Sequence, residues 1–219
     1  MPQSYDCADP DARAAGLAAA GAAVGAGQLV VLPTDTVYGL GADAFTPSAV
    51  EALLAAKGRG RDMPVPVLIG TMRTLDGIAA RLSDAARELA DAFWPGGLTI
   101  VCHQQPSLAW DLGDSAQTVA IRMPLHPVAL DLLKATGPMA VSSANRTGYP
   151  PATTVAQARE QLGDSVEVYL DGGPTDDNIP STIVDVTGSR PRILRAGHIS
   201  VDDIRSVVAD VELATGSGA

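Results

Sequence analysis

Residues 28–41, QLVVLPTDTVYGLG, decide how the chain is read. Gln28–Leu32 is a short apolar run that reads as a buried strand. Pro33, Gly39 and Gly41 then interrupt regular pairing, so Pro33–Gly41 is predicted as a loop at that strand's carboxyl end. The loop gathers the hydroxyls of Thr34, Thr36 and Tyr38 in one place.

Upstream, alanine-rich Asp9–Ala26 with Gly27 behind it reads as an opening helix and its C-terminal cap. Downstream, Thr46-Pro47-Ser48 opens a second helix, with Pro47 early and Ser48 and Glu51 at capping-box spacing; it ends near Lys57-Gly58. Further strands are predicted at Val65–Ile69, Leu98–Cys102, Thr118–Arg122, Pro138–Ser142, Val166–Leu170, Thr182–Val186 and Arg192–Arg195. Helices are predicted at Met72–Arg81, Ser83–Phe93, His126–Thr136, Thr154–Leu162 and Ser200–Ala209. Strands interleaved with helices imply an α/β fold, an open, twisted, mixed sheet covered by helices. With 219 residues, the chain is expected to form one domain over residues 1–210, with 211–219 as a flexible tail.

Composition narrows the function. A net charge of −10 and only 4 % aromatic residues argue against a surface devoted to gripping and stacking on nucleic acid. The two cysteines, Cys7 and Cys102, cannot build a disulfide framework or a four-cysteine zinc site. No apolar run reaches the length of a membrane span, and Asp6, Asp9 and Asp11 stand where a signal peptide carries basic residues, so the cytoplasm is expected. Familiar motifs fail. Gly21–Gly27 precedes a strand where a dinucleotide fingerprint would follow one, and there is neither a P-loop nor a G-x-S-x-G elbow. His103, His126 and His198 lack metal-ligand spacing, so no metal site and no zinc are assigned.

Against the acidic background, Lys57, Arg59 and Arg61 put three cations in five residues, which suits either a helix C-terminus or an anion site. Ser142-Ser143-Ala144-Asn145, where another strand runs into a turn-rich segment, adds polar groups of a kind that either cap local amides or bind ligand.

Taken together, Pro33–Leu40, the K-x-R of Lys57 and Arg59, Trp94–Thr99, Thr118–Pro124, the S-x-N of Ser143 and Asn145, Ser181–Ile183 and Leu194–Gly197 resemble the ordered motifs of the YrdC/TsaC family of threonylcarbamoyl-AMP synthases. The resemblance implies a positively charged cavity in which ATP and L-threonine lie side by side. Bicarbonate would be the third substrate, and magnesium would be held mainly by the nucleotide phosphates. By the same resemblance Lys57 and Arg59 are catalytic. Lys57, Arg59, Arg61, Thr118, Ser143, Asn145 and Arg195 would hold ATP, and Thr34, Arg122 and Ser181 would hold threonine. Two residues depart from the family pattern: Leu68 stands where some relatives carry histidine, and Pro180 where many carry glutamate. The resemblance further implies separate proteins that move the threonylcarbamoyl group to tRNA. The competing readings are an RNA-binding module and a carbamoyl-handling enzyme with a different acceptor.

Overall fold

The computed structural model describes residues 1–175 and 179–214. Twelve strands run through it: β1 (Gln3–Asp6), β2 (Val30–Leu32), β3 (Gly39–Asp43), β4 (Val67–Leu68), β5 (Ala79–Ala80), β6 (Leu98–Gln104), β7 (Thr118–Arg122), β8 (Met139–Ser143), β9 (Val168–Asp171), β10 (Thr182–Asp185), β11 (Arg192–Arg195) and β12 (Glu212–Leu213). Between them lie α1 (Pro10–Gly25), α2 (Pro47–Lys57), α3 (Met72–Ile78), α4 (Asp84–Phe93), α5 (Pro127–Thr136), α6 (Val155–Leu162) and α7 (Val201–Val207). Helix starts follow local chemistry: the side chains of Asp9, Ser83, Thr154 and Ser200 each accept from a backbone N–H in the first turn of α1, α4, α6 and α7.

The strands form one mixed sheet in the order β1-β9-β2-β3-β8-β4-β7-β6-β10-β11-β12, with β5 added beside β6. Alternation along the strands sorts side chains onto two faces. Val31, Leu40, Val67, Ile100, Ile121, Ala140, Tyr169 and Val184 join the larger core, which also takes in buried residues of α2, α4, α6 and α7. Val30, Leu32, Leu68, Met139, Val141, Val168 and Leu170 point the other way, into a smaller core with α1 and α5. On that second face α1 and α5 cover only part of the sheet. Thr99 and Val101 of β6, Ala120 and Arg122 of β7, and Ile183 of β10 alternate with larger-core neighbours and line a cavity there instead.

Several elements differ from the sequence expectation. Gly39 and Gly41, read as loop, lie in β3: a Cβ on Gly39 would fall 2.6 Å from Val141 Cγ1, and one on Gly41 2.8 Å from Met139 Cε. They are strand residues in which a neighbouring side chain fills the missing volume. The Val65–Ile69 strand shrinks to Val67–Leu68, because Pro64 and Pro66 offer no N–H to a ladder. The capping box of α2 does not form, since Thr46 is the N-cap and its hydroxyl donates to Asp43 Oδ2 at 2.7 Å. The helix expected at Met72–Arg81 stops at Ile78 and gives way to β5, with Arg81 at φ 53. β1 was not anticipated, and neither was β12, which pairs parallel with β11 inside the stretch expected as tail. Residues 215–219 of that tail lie outside the described residues.

Candidate active site

The cavity holds about 540 Å³, within the range of small-molecule sites. Arg59, Arg122 and Arg195 line it together with threonine and serine hydroxyls, and no carboxylate does so among the described residues. Of the residues expected to bind substrate, Thr34, Arg59, Thr118, Arg122, Ser143, Ser181 and Arg195 line the same space. The two departures, Leu68 and Pro180, line it as well.

One end of the cavity is built on strands. Arg122, at the end of β7 and only 6 % exposed, donates from Nε to Gly96 O (2.9 Å), from Nη1 to Thr36 Oγ1 (2.8 Å) and from Nη2 to Asp35 Oδ1 (2.7 Å). Asp35 also accepts from Leu125 N–H at 2.8 Å, so one carboxylate fixes both the guanidinium and the chain beyond β7. Burial lowers the pKa of Arg122 and the Asp35 charge opposes that shift. Thr34 spends its hydrogen bonds locally: its hydroxyl donates to Val37 O at 2.6 Å, accepts from Thr36 N–H at 3.2 Å and lies 3.1 Å from Thr36 Oγ1. Arg195 of β11 grips the residue before β10, donating to Ser181 O from Nε and Nη2 (3.1 and 2.8 Å) and to Ser181 Oγ at 3.2 Å. Thr99 Oγ1 lies 2.8 Å from the same Ser181 hydroxyl.

The other end is built where α2 and β8 run into turns. Lys57 ends α2, where Gly58 turns left-handed at φ 61, and its ammonium is buried. It donates to Ser143 O (2.5 Å), Asn145 O (2.7 Å) and Asn145 Oδ1 (3.4 Å), and Lys57 O accepts from Thr147 N–H. Asn145 extends the clasp by donating to Arg146 O and Tyr149 O. An ammonium has three donors, so Lys57 is committed to shaping the turn after β8, and neither it nor Asn145 lines the cavity. Burial, then the charge of Arg59, lowers the pKa of Lys57 to about 8.

Arg59 does face the cavity. It donates to Ser142 Oγ at 3.1 Å, its Nε is buried without a partner, and burial lowers its pKa. A guanidinium in a wall that no carboxylate lines among the described residues fits an anionic ligand. The pKa of Arg195 is lowered by burial and then by the charges of Arg122 and Arg59, so the three arginines share one field. Arg61 is placed differently from the expectation: it is absent from the lining and pairs with Asp111 (2.7 Å) and Asp114 (3.5 Å). It ties its own loop to the one at 111–114, where Asp114 N–H also donates to Arg61 O. Thr118 lines the cavity while its hydroxyl donates to Ser115 O at 2.7 Å.

Asp35, Thr36, Thr99 and Ser142 carry parts of the site beyond the residues that the family resemblance assigns to a substrate. The signal for Thr99 was available in LTIVC, where a lone hydroxyl alternates with the core-facing Leu98, Ile100 and Cys102. Among the described residues no three His, Cys, Asp or Glu side chains stand together as a ligand set, and no helix is long and apolar enough to cross a membrane.

The fold and site define a class: a mixed-sheet α/β protein whose arginine-lined cavity suits anionic small molecules. A family model described as telomere recombination, under the name Sua5/YciO/YrdC, matches residues 22–197, and the chain belongs to that family. A Mycobacterium tuberculosis protein, provisionally named a threonylcarbamoyl-AMP synthase, is 59 % identical over 95 % of this chain and 96 % of its own length. The threonylcarbamoyl-AMP synthase of Bacillus subtilis is 36 % identical over 91 % of this chain and 58 % of its own. The crystal structure of P. abyssi Sua5 complexed with L-threonine superposes with a TM-score of 0.90 at 32 % identity, covering 97 % of this chain and 62 % of that one. The chain thus spans about three-fifths of the archaeal protein's length.

Proposed function

We propose that the chain converts L-threonine, bicarbonate and ATP into threonylcarbamoyl-AMP and pyrophosphate. The observation that carries this reading is the convergence of Arg59, Arg122 and Arg195 on one cavity without a lining carboxylate among the described residues. The names of the mycobacterial and Bacillus relatives and the threonine in the archaeal structure support the same substrates.

In this reaction the amine of threonine condenses with bicarbonate, releasing water and giving a carbamate. A carbamate oxygen then bonds to the α-phosphorus as the bond from that phosphorus to the pyrophosphate oxygen breaks. Nucleophile and target are both anionic, so the residues must offset repulsion and align the groups. Arg122, held by Asp35, Thr36 and Gly96, presents its guanidinium edge to the threonine carboxylate, and Thr34 and Ser181 complete that end. Arg59, Thr118, Ser143 and Arg195 face the nucleotide, with Arg195 between the two anions. Lys57 acts through the turn it holds: its ammonium and Asn145 fix where Ser142 and Ser143 stand, and its charge adds to the field from one layer behind the wall. Magnesium would arrive with the nucleotide phosphates, since hydroxyls and guanidiniums make no cation cage. The product is a labile anhydride, so separate transfer proteins that act on tRNA would receive it in the cytoplasm.

The test is pyrophosphate release from ATP and magnesium with threonine or bicarbonate omitted in turn. Release that needs both is expected, and release indifferent to either would overturn the proposal.

A further inference from the structure

Thr99 lies on β6, and Ser181 stands immediately before β10, the strand paired with it. The two strands are parallel, with Thr182 opposite Leu98 and Ile183 opposite Thr99, so Ser181 is the diagonal neighbour of Thr99 on the same face, at the wall of the cavity. Both are buried, at 3 % and 7 % exposure, and the oxygens stand 2.8 Å apart. Thr99 Oγ1 has no other hydrogen-bond partner in the described residues, and Ser181 Oγ has one other, the Arg195 guanidinium at 3.2 Å.

Donor counting decides what this pair offers. Arginine only donates, so Arg195 occupies one lone pair of Ser181 Oγ. Two hydroxyl protons remain, and one is used between the partners whichever of them donates. The other is left for the cavity, next to an oxygen with an open lone pair. The wall therefore presents one donor and one acceptor side by side, which is the complement of an alcohol. Thr34 cannot do the same, because its proton is committed to Val37 O.

We propose that Thr99 is a specificity-determining residue, which together with Ser181 reads the β-hydroxyl of the amino-acid substrate. The inference rests on the proposed threonine-dependent reaction and adds the part of the wall that separates threonine from valine. An apolar pocket separates such isosteres poorly, whereas a wall left with an unpaired buried hydroxyl pair rejects the analogue that lacks the alcohol. Thr99 also gives the motif Trp94–Thr99 a task for its last residue.

The experiment compares kcat/KM for threonine and valine, by pyrophosphate release, in the unaltered protein and in Thr99→Val, Thr99→Ser and Thr99→Ala. Valine fits a buried strand position at nearly unchanged volume, and serine and alanine both delete the methyl while differing in the hydroxyl. ATP affinity, measured by calorimetry, should stay the same across the series. The threonine-to-valine ratio is expected to fall about tenfold or more in Thr99→Val and Thr99→Ala and to be kept in Thr99→Ser. An unchanged ratio in Thr99→Val, or equal ratios in the serine and alanine variants, would overturn the role of Thr99 and leave the reaction standing. If the unaltered protein releases pyrophosphate without needing threonine, the reaction fails and this inference fails with it.

Discussion

The two ends of the cavity are made differently. Around Arg122, Thr99, Arg122 and Arg195 stand on β6, β7 and β11, and their side chains are held by residues of the segments flanking β2, β6 and β10. Around Arg59, polar groups come from the turn after α2 and from the last residues of β8, whose following turn is held by one buried lysine, while Arg61 pairs at the surface. Strand-borne groups are stiff because moving one means breaking a ladder, whereas loop-borne groups move when a single clasp opens. The contrast suits the proposed reaction, in which the first end would seat the small substrate and the second would adjust to the larger nucleotide.

Removing the clasp should have the largest effect. Lys57→Ala strands the carbonyls of Ser143 and Asn145 and releases the turn, so kcat/KM for pyrophosphate release should drop about a hundredfold or more. Lys57→Ala turnover close to that of the unaltered protein would erase the distinction between the ends. At the stiff end, Asp35→Ala leaves the buried Arg122 unpaired and should reduce stability to urea by about 3 kcal/mol, with a raised threonine requirement. Asp35→Asn, which keeps an acceptor for Leu125 N–H, should lose less.

A smaller effect is expected in pH dependence. Lys57 titrates near 8, so the alkaline limb of kcat/KM should fall there as the ammonium loses one of its three donors. Arg59→Gln removes a positive neighbour that lowers the Lys57 pKa and should move the limb upward. Stability responds with the opposite sign. The folded value lies below the ordinary 10.5, so the unfolded chain binds more protons between about 8 and 10.5 and this group's contribution to stability rises across that window. A limb that falls together with stability would point to unfolding instead of the clasp. The smallest effect belongs to Arg61→Ala, where an exposed pairing is lost: the unfolding midpoint should hardly move, and the few-fold change in ATP requirement should shrink as salt rises.

Much of this was readable from residues alone. The apolar run at Gln28–Leu32, the interleaved strands and helices, and the caps at Asp9, Ser83, Thr154 and Ser200 follow from local rules that tertiary packing did not override. Gly39 and Gly41 were misread because glycine signals a turn locally, while here it is required by side chains from β2 and β8 that the local sequence does not show. In the site, the guanidiniums and hydroxyls could be named, but their partners could not. That Lys57 faces carbonyls, that Arg61 faces Asp111 and Asp114, and that Thr99 faces Ser181 depend on contacts across 86, 50 and 82 residues of chain. Residue type gives chemical capacity, whereas topology decides how much of it remains for a ligand.

The most direct measurement follows the carbon of labelled bicarbonate. Incubated with ATP, magnesium and threonine, the protein should move that carbon into a species that also contains threonine and AMP, at the rate of pyrophosphate release. Pyrophosphate released while the label stays in the bicarbonate pool would contradict the proposed reaction.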